Sequence, residues 1–409
     1  MKRTLREKKL FFPEVVMLLI NLIKRSLKVE LQDFLAFGLH QEISYTKSAF
    51  CQSREKIKPV FFQDLNQKLV ELVYEKNTER IKKWKGFLLV GVDGSTAYLP
   101  NNKDTIFYFG TQSNQYMEVP MARIIKFHDV LNDFSVFSKI APIVQSESVL
   151  FKEHLHQLPK DSIGIFDRGF PSFSLCFLMM KNERKFVMRT KLSFSKMVED
   201  FVKSEQWDKE VNWLPNANAI KDLKMQGYEI SMNTPLKIRL IKVLLNSGET
   251  EVLMTNLYDE NEYRKEDFSQ LYFKRWGVET RIDADKNKTQ MEEFSGQKPL
   301  SIEQDFYCME FVMNLQSMIA MDCQMELQEI SKGRKHLYKI NKNVSIGSLK
   351  YRIVELFCNR DSKLVYQKLK ALFLQSIEPV RFGRSSPRIF KTIKKKGKYK
   401  TLNNYKRAI

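Results

Sequence analysis

The sequence predicts an α/β protein that begins with a helical region. Two short apolar runs, residues 87–92 and 163–166, are each followed by an aspartate with a glycine close behind, which is typical of buried strands in a covered sheet. Residues 1–80 and the apolar stripe at residues 302–325 instead repeat their apolar positions at helical spacing. A chain of 409 residues with 43% hydrophobic residues can bury a large core, so more than one domain is expected.

The other elements are predicted from the same patterns. Near the N-terminus, helices are expected at residues 14–27 and 28–39, and Thr46 is expected to cap a third helix that Pro59 stops or kinks. Strands are expected at residues 97–99, 106–110, 117–127 and 134–142 as an antiparallel meander, and further on at 185–192, 228–232, 236–245 and 250–256. Later helices are expected at residues 146–158, 343–358 and 363–375.

The segment of residues 271–288 carries a tyrosine, an arginine, a glutamate and a lysine at the spacing Y-x2-R-x3-E-x6-K. These are Tyr272, Arg275, Glu279 and Lys286. If the segment is one helix, at about 100° per residue the four side chains share a sector of about 60°. A carboxylate flanked by two cations and a phenol suits a metal-assisted phosphate site. The alternative is a solvated helix with ion pairs such as Arg275–Glu279.

Two isolated aspartates end the apolar runs described above. Asp93 follows the first run and Asp167 the second, so each strand would fix its aspartate while the turn exposes it. Turn aspartates without any ligand are the alternative, because Asp-Gly is a common turn dipeptide. Together with Glu279, the two aspartates make three carboxylates, which is the ligand set that two divalent ions need, about 4 Å apart, for in-line displacement at phosphorus.

The charge of the chain agrees with a polyanionic partner. The net charge is +20, and the residues after Glu378 contain eleven Lys and Arg and no Asp or Glu. Such a segment can neutralise phosphates without sequence specificity and gives steep salt dependence. A solubilising tail, or a tail that touches acidic membrane lipid, is the alternative.

These motifs resemble those of a known family. Val-Asp-Gly-Ser at residues 92–95, Asp-Arg-Gly-Phe at 167–170, the complete Tyr/Arg/Glu/Lys pattern and Phe-Ser-Gly at 294–296 occur in the order found in DDE transposases of bacterial insertion sequences. The chain resembles in particular insertion-sequence family four, whose members carry a YREK signature around the catalytic glutamate. The resemblance spans at least residues 45–300.

The resemblance implies an RNase H-like core, which is a mixed sheet flanked by helices, and a cut-and-paste DNA transposase. Asp93, Asp167 and Glu279 would be the catalytic residues and would bind two Mg²⁺ or Mn²⁺ ions. Phosphates near the transposon end would be held by three residues of the signature, Tyr272, Arg275 and Lys286. Further candidates for DNA contacts are Arg168, beside the second aspartate, and Lys47 and Arg54 in the N-terminal region, where a helix-turn-helix unit is one reading and a plain helical packing domain the other.

Three domains follow from this interpretation. Residues 1–80 would form an all-helical domain that binds the element's ends, and residues 81–325 the catalytic domain with a β-rich insertion at about 193–253. Residues 326–409 would form a helical C-terminal region that ends in a basic tail at 380–409. The expected partners are double-stranded DNA, as terminal repeats and as target, and a second copy of the chain in the DNA complex, because two ends must be joined at once.

Five scattered cysteines without a CxxC pair argue against disulfides or a zinc site and favour a reducing cytoplasm. The apolar stretch at residues 15–23 is too short to span a bilayer. We therefore expect a bacterial cytoplasmic protein that associates with the nucleoid and has no membrane partner. Three other functions stay open: a metal-dependent DNA nuclease without strand transfer, a catalytically inactive DNA-binding protein derived from a transposase, and a membrane-surface protein anchored by its basic tail.

Overall fold

The computed structural model of the chain describes residues 10–39, 45–113, 118–245, 248–350 and 352–381. Most of the predicted basic tail, from residue 382 onward, lies outside the described residues. None of the nine predicted site residues does.

The first half of the chain alternates helices with the first strands of a sheet. In chain order these are α1 (Phe12–Ile20), α2 (Leu27–Asp33), a π-helical turn (Phe34–Gly38), α3 (Lys47–Arg54), α4 (Val60–Lys76), β1 (Leu88–Tyr98), α5 (Lys103–Phe109), β2 (Thr111–Ser113), β3 (Glu118–Asp129), β4 (Phe134–Pro142), α6 (Glu147–Glu153), a 3₁₀ turn (Leu155–Gln157), β5 (Ser162–Phe166), α7 (Phe173–Lys181) and β6 (Lys185–Thr190).

The second half completes the sheet and then becomes helical. Its elements are α8 (Lys196–Lys203), β7 (Asp208–Trp213), α9 (Ala217–Met225), β8 (Leu236–Leu244), β9 (Thr250–Thr255), α10 (Asp267–Phe273), α11 (Trp276–Asn287), α12 (Pro299–Asp322), α13 (Gln324–Ser331), β10 (Tyr338–Ile340), α14 (Lys342–Leu349), α15 (Arg352–Cys358), α16 (Ser362–Gln375) and β11 (Ile377–Pro379).

The chain divides into two compact units. The sheet unit comprises residues 77–96 and 123–282, and the helical unit comprises the described parts of residues 1–76, 97–122 and 283–381. The predicted domain boundaries at residues 80 and 325 are not tested by this division and remain predictions.

The sheet unit is built on a mixed sheet with the strand order β4-β3-β1-β5-β6-β9-β8-β7. Strands β1, β5 and β6 are parallel neighbours, whereas β9, β8 and β7 continue the sheet in antiparallel pairs. The parallel strands are buried on both faces, which agrees with their continuous apolar sequences. One apolar cluster packs Ile163, Val187 and Leu253 of three strands against Phe268 and Leu271 of α10.

The helical unit is organised around α12, which the sequence predicts at residues 302–325. Helix α4 packs along α12, and α1, α14 and α16 contact it as well. Polar bonds fix the register, since Asn314 Nδ2 donates to Asn66 Oδ1 at 2.8 Å and Gln304 Nε2 donates to the carbonyl of Ile57 at 2.7 Å. Among the described residues, no helix combines the length and the apolar character that a membrane crossing requires.

Several predicted elements are confirmed and others are wrong. The strands expected at residues 117–127, 134–142, 236–245 and 250–256 are present as β3, β4, β8 and β9, and Thr46 caps α3 by accepting a bond from the Ala49 N–H at 3.1 Å. The strand expected at residues 106–110 is wrong, because α5 occupies that segment and Asn102 Oδ1 caps it by accepting from the Thr105 N–H.

The expected strand at residues 228–232 is also absent from the described residues, where the chain leaves α9 through a turn at Gly227 with a φ of +82°. The insertion expected to be β-rich contains α8 and α9 besides β7, β8 and β9. Its strands join the main sheet through the β6–β9 pair.

Candidate active site

Two of the three predicted acids lie side by side at the carboxyl ends of parallel strands. Val92 of β1 is in register with Phe166 of β5, so Asp93 and Asp167 both follow one residue later on strands that are about 4.8 Å apart. Phe166 is in turn in register with Met188 of β6, which places Arg189 one residue later again. Asp93, Asp167 and Arg189 therefore form a row across three neighbouring strand ends.

Asp167 is held by its neighbour in this row. Arg189 Nη2 donates to Asp167 Oδ1 at 3.4 Å, and Arg189 Nη1 donates to Glu251 Oε1 of β9 at 2.5 Å. The backbone N–H of Arg168 also donates to Asp167 Oδ1, while the Arg168 side chain is exposed on the turn. Arg189 thus links the second acid to a carboxylate on the next strand.

Glu279 reaches the same region because α11 packs very closely on the sheet. A Cβ added to Gly91 of β1 would lie 3.0 Å from Val278 Cγ1, and one added to Gly277 would lie 2.9 Å from Val130 Cβ. Both glycines therefore allow an approach that a side chain would prevent. Gly91 is two residues from Asp93 and Val278 directly precedes Glu279, so this packing brings the third acid to the first.

The YREK segment is not one continuous helix, contrary to the expected geometry. Helix α10 ends at Phe273 and α11 begins at Trp276, and the N–H groups of Lys274 and Arg275 bond to carbonyls three residues earlier. The tightened turn changes the angular spacing on which the single-face prediction depended. Tyr272 therefore lies on α10, Glu279 and Lys286 lie on α11, and Arg275 lies at the junction.

From this junction, Arg275 contacts two of the acids. Its Nη2 donates to Glu279 Oε1 at 2.5 Å, and its Nη1 lies 3.9 Å from Asp93 Oδ2. The Arg275 side chain is only 3% exposed. Burial disfavours its charge, but Tyr272, Glu279 and Asp93 together raise the pKa of Arg275 above its ordinary value.

Burial also dominates the titration of Asp93. It raises the pKa of this carboxyl from 3.8 to about 6, and the negative charges of Glu279 and Glu147 act in the same direction. Arg275 and the N–H of Gly94, which donates to Asp93 Oδ1 at 3.0 Å, oppose the rise. Asp93 is therefore an acid whose ionised form lacks sufficient stabilising partners within the protein.

Several buried donors around the acids have no hydrogen-bond partner. They are the Tyr272 hydroxyl, Nε and Nη1 of Arg275, and Nε of Arg189. The two guanidinium groups lie over the Tyr272 ring, at 5.7 Å for Arg275 and 5.8 Å for Arg189. A buried donor left unpaired costs about 1–3 kcal/mol, and the anionic oxygens of a phosphate are the acceptors that such groups bind most strongly.

The donor chemistry of the acids fits hard divalent cations, since carboxylate oxygens are preferred ligands of Mg²⁺ and Mn²⁺. Their arrangement does not yet form a closed site. Within the described part of the chain, no three Asp, Glu, His or Cys side chains lie close enough together to hold a metal ion. Arg275 instead pairs with Asp93 and Glu279, and Arg189 pairs with Asp167.

The other predicted site residues belong to the helical unit. Lys286 is half-buried near the end of α11, and burial lowers its pKa. Lys47 is exposed at the start of α3. Arg54 is 2% exposed and donates to Gln304 Oε1 at 2.8 Å and to Asp305 Oδ1 at 3.0 Å, so binding DNA would require these bonds to break.

Sequence reasoning missed Arg189, Glu251 and Glu147. Arg189 could have been found, because it follows an apolar strand segment just as the two aspartates do. Glu251 gives no local signal, because its importance depends on the pairing of β9 with β6. Glu147 has the sequence features of an ordinary acid in the first turn of a helix, after the cap Ser146.

Comparison with known proteins gives a partial likeness. No protein-family model matches the chain. A curated protein of Escherichia coli (strain K12), named "Putative transposase InsZ", is 26% identical over 134 residues, which cover 32% of this chain and 44% of that protein. The chain thus matches less than half the length of this relative. A cryo-EM structure of a piggyBac transposase synaptic complex with hairpin DNA covers 91% of this chain and 76% of its own, at 10% identity and a TM-score of 0.39, which does not establish a common fold.

Proposed function

We propose that the protein is a DDE transposase of the insertion-sequence-four type, which cleaves the ends of a DNA element and joins them to target DNA. The observation that carries the proposal is the meeting of two kinds of group in the sheet unit. Asp93, Asp167 and Glu279 come from distant parts of the sequence to two strand ends and one helix. Unpartnered buried donors of Tyr272 and Arg275 lie directly beside them.

Each part of this site has a role in phosphoryl transfer. Asp93, Asp167 and Glu279 would hold two divalent ions, and those ions supply an activated water and neutralise charge at the scissile phosphate. Tyr272 and Arg275 bind oxygens of the phosphodiester and orient it. Arg189 keeps the Asp167 carboxylate at its strand end through the 3.4 Å contact. No side chain has to act as a covalent nucleophile.

The fold and the likeness to InsZ support the same proposal. The strand order β4-β3-β1-β5-β6, with acids at the ends of parallel strands, supports an RNase H-like core. The 134 matched residues are similar to a protein whose name describes a transposase. We further propose double-stranded DNA as the partner, the nucleoid as the site of action, and a dimer when two element ends are bound.

The test replaces Glu279 by Gln and follows a labelled duplex that carries the element's own terminal repeat, with Mg²⁺. We expect strand cleavage to disappear while binding to the repeat stays within about threefold of wild type. Glu266→Gln is the matched control, because Glu266 is exposed at the start of α10 and should leave both properties unchanged. Cleavage that persists in the Glu279 variant would refute the assignment.

A strand-transfer assay separates the alternatives. Cleavage without joining of the released 3′ end to a second duplex would identify a nuclease. Specific binding of the repeat without cleavage by the wild-type protein would identify an inactive DNA-binding relative. In the latter case Asp93→Asn and Glu279→Gln would have no further effect on any DNA reaction.

A further inference from the structure

A fourth carboxylate, that of Glu147, lies against the strand that carries Asp93. Glu147 is the first residue of α6, and the Ser146 hydroxyl caps this helix by accepting from the Val149 N–H at 3.3 Å. A Cβ on Gly94 would overlap Cγ, Cδ and Oε1 of Glu147. Gly94 therefore provides the space that the glutamate side chain occupies beside Asp93.

Glu147 is electrostatically coupled to two of the three proposed ligands. Its charge adds to the rise in the pKa of Asp93. Burial raises the pKa of Glu147 itself, Arg123 opposes this, and Asp167 contributes to it. The Glu147 carboxylate is 34% exposed, and Arg123 Nη1 donates to its Oε1 at 3.2 Å. The second Oε atom is thus the part of the group that the ion pair leaves available.

We propose that Glu147 is a further acidic residue of the catalytic site, which helps to hold divalent cation at Asp93 and Asp167, and that Gly94 is a glycine because Glu147 needs its space. This inference rests on the proposed function. It adds to the three acids a residue that no spacing in the sequence indicates.

The first test measures Mn²⁺ binding to the full chain without DNA, by electron paramagnetic resonance of the free ion. Loss of a metal-facing carboxylate typically weakens binding by about 10- to 100-fold, so Glu147→Gln should raise the Mn²⁺ dissociation constant at least tenfold. Glu153→Gln is the control, because Glu153 is exposed at the other end of α6. Unchanged Mn²⁺ affinity in the Glu147 variant would overturn the proposal, even if thermal stability fell, since that result describes a helix-start role only.

Asp93→Asn separates this inference from the proposed function. If Asp93→Asn loses Mn²⁺ binding while Glu147→Gln keeps it, only the role of Glu147 is wrong. If both variants bind Mn²⁺ as the wild type does, the proposed metal site itself is wrong.

A second test uses the close approach at Gly94. Gly94→Ala should displace the Glu147 side chain and weaken Mn²⁺ binding about as much as Glu147→Ala does. In the double variant the two effects should not add, because both remove the same carboxylate from the same place. Additive losses would show that Gly94 and Glu147 act separately, and would refute the second part of the proposal.

Discussion

The raised pKa of Asp93 predicts that the site lowers the stability of the protein at neutral pH. Asn has the shape of Asp without the charge, and its Oδ1 can still accept from the N–H of Gly94. The rise of the folded-state pKa from 3.8 to about 6 corresponds to about 3 kcal/mol, at about 1.4 kcal/mol per pH unit. Because the side chain is 20% exposed, we expect Asp93→Asn to raise the free energy of unfolding by about 1–3 kcal/mol at pH 7.5.

The pH dependence follows from the direction of the shift. The folded-state pKa is above the ordinary value, so the unfolded chain ionises first, and the folded state loses stability as pH rises from about 4 to about 6. Above that range the difference between variant and wild type is constant. At pH 4.5 only about a third of the gain should remain.

Tryptophan fluorescence during urea unfolding is a suitable assay, with EDTA present to remove divalent ions. The sheet unit that carries Asp93 contains all four tryptophans of the chain, which are Trp84, Trp207, Trp213 and Trp276. The signal therefore reports on the correct unit even if the two units unfold separately. Asp200→Asn, at an exposed position of α8, is the control. An equal gain at both pH values, or no gain at pH 7.5, would refute the reasoning.

Two further predictions concern packing and phosphate binding. Gly277→Ala should destabilise the sheet unit by about 1 kcal/mol, since overpacking against Val130 costs about 1–3 kcal/mol and exceeds the helix-propensity gain of about 1 kcal/mol; Gly169→Ala, where a Cβ meets open space, should change urea unfolding little. Arg275→Ala should weaken binding to cleaved element ends more than Lys395→Ala in the basic tail does, and the tail variant should instead reduce the salt dependence of binding. Equal losses of affinity in the two variants would argue against a phosphate clamp at Arg275.

The sequence predicts those parts of the fold whose local pattern agrees with their tertiary surroundings. Residues 163–166 form β5 as expected, because an apolar run between turn residues leaves few alternatives. Residues 106–110 have the aromatic and branched residues of a strand, yet they end a helix that Asn102 caps and that packs on α12. In that segment, capping and packing outweigh β propensity.

The same limit applies to the candidate site. Asp93, Asp167 and Glu279 could be selected because each has a motif, but the geometry around them depends on contacts between distant residues. Arg189 becomes relevant through the register of three strands, and Glu147 through the space at Gly94. The break between α10 and α11 could not be predicted either, since residues 271–288 contain no proline and only one glycine.

The site consists of carboxylates that are each matched with an arginine. Asp93 and Glu279 share Arg275, Asp167 has Arg189, and Glu147 has Arg123. Removing one partner of such a pair leaves a partly buried charge without compensation, which costs more than the pair itself contributes. A loss of DNA binding in Arg275→Ala therefore has two sources, the missing phosphate contact and the uncompensated acids. The double variant Arg275→Ala/Glu279→Gln distinguishes them, because it removes the charge imbalance while the phosphate contact stays absent. If binding recovers in the double variant, the repulsion of DNA by the acids is the cause, and if it does not, the direct contact of Arg275 with phosphate is.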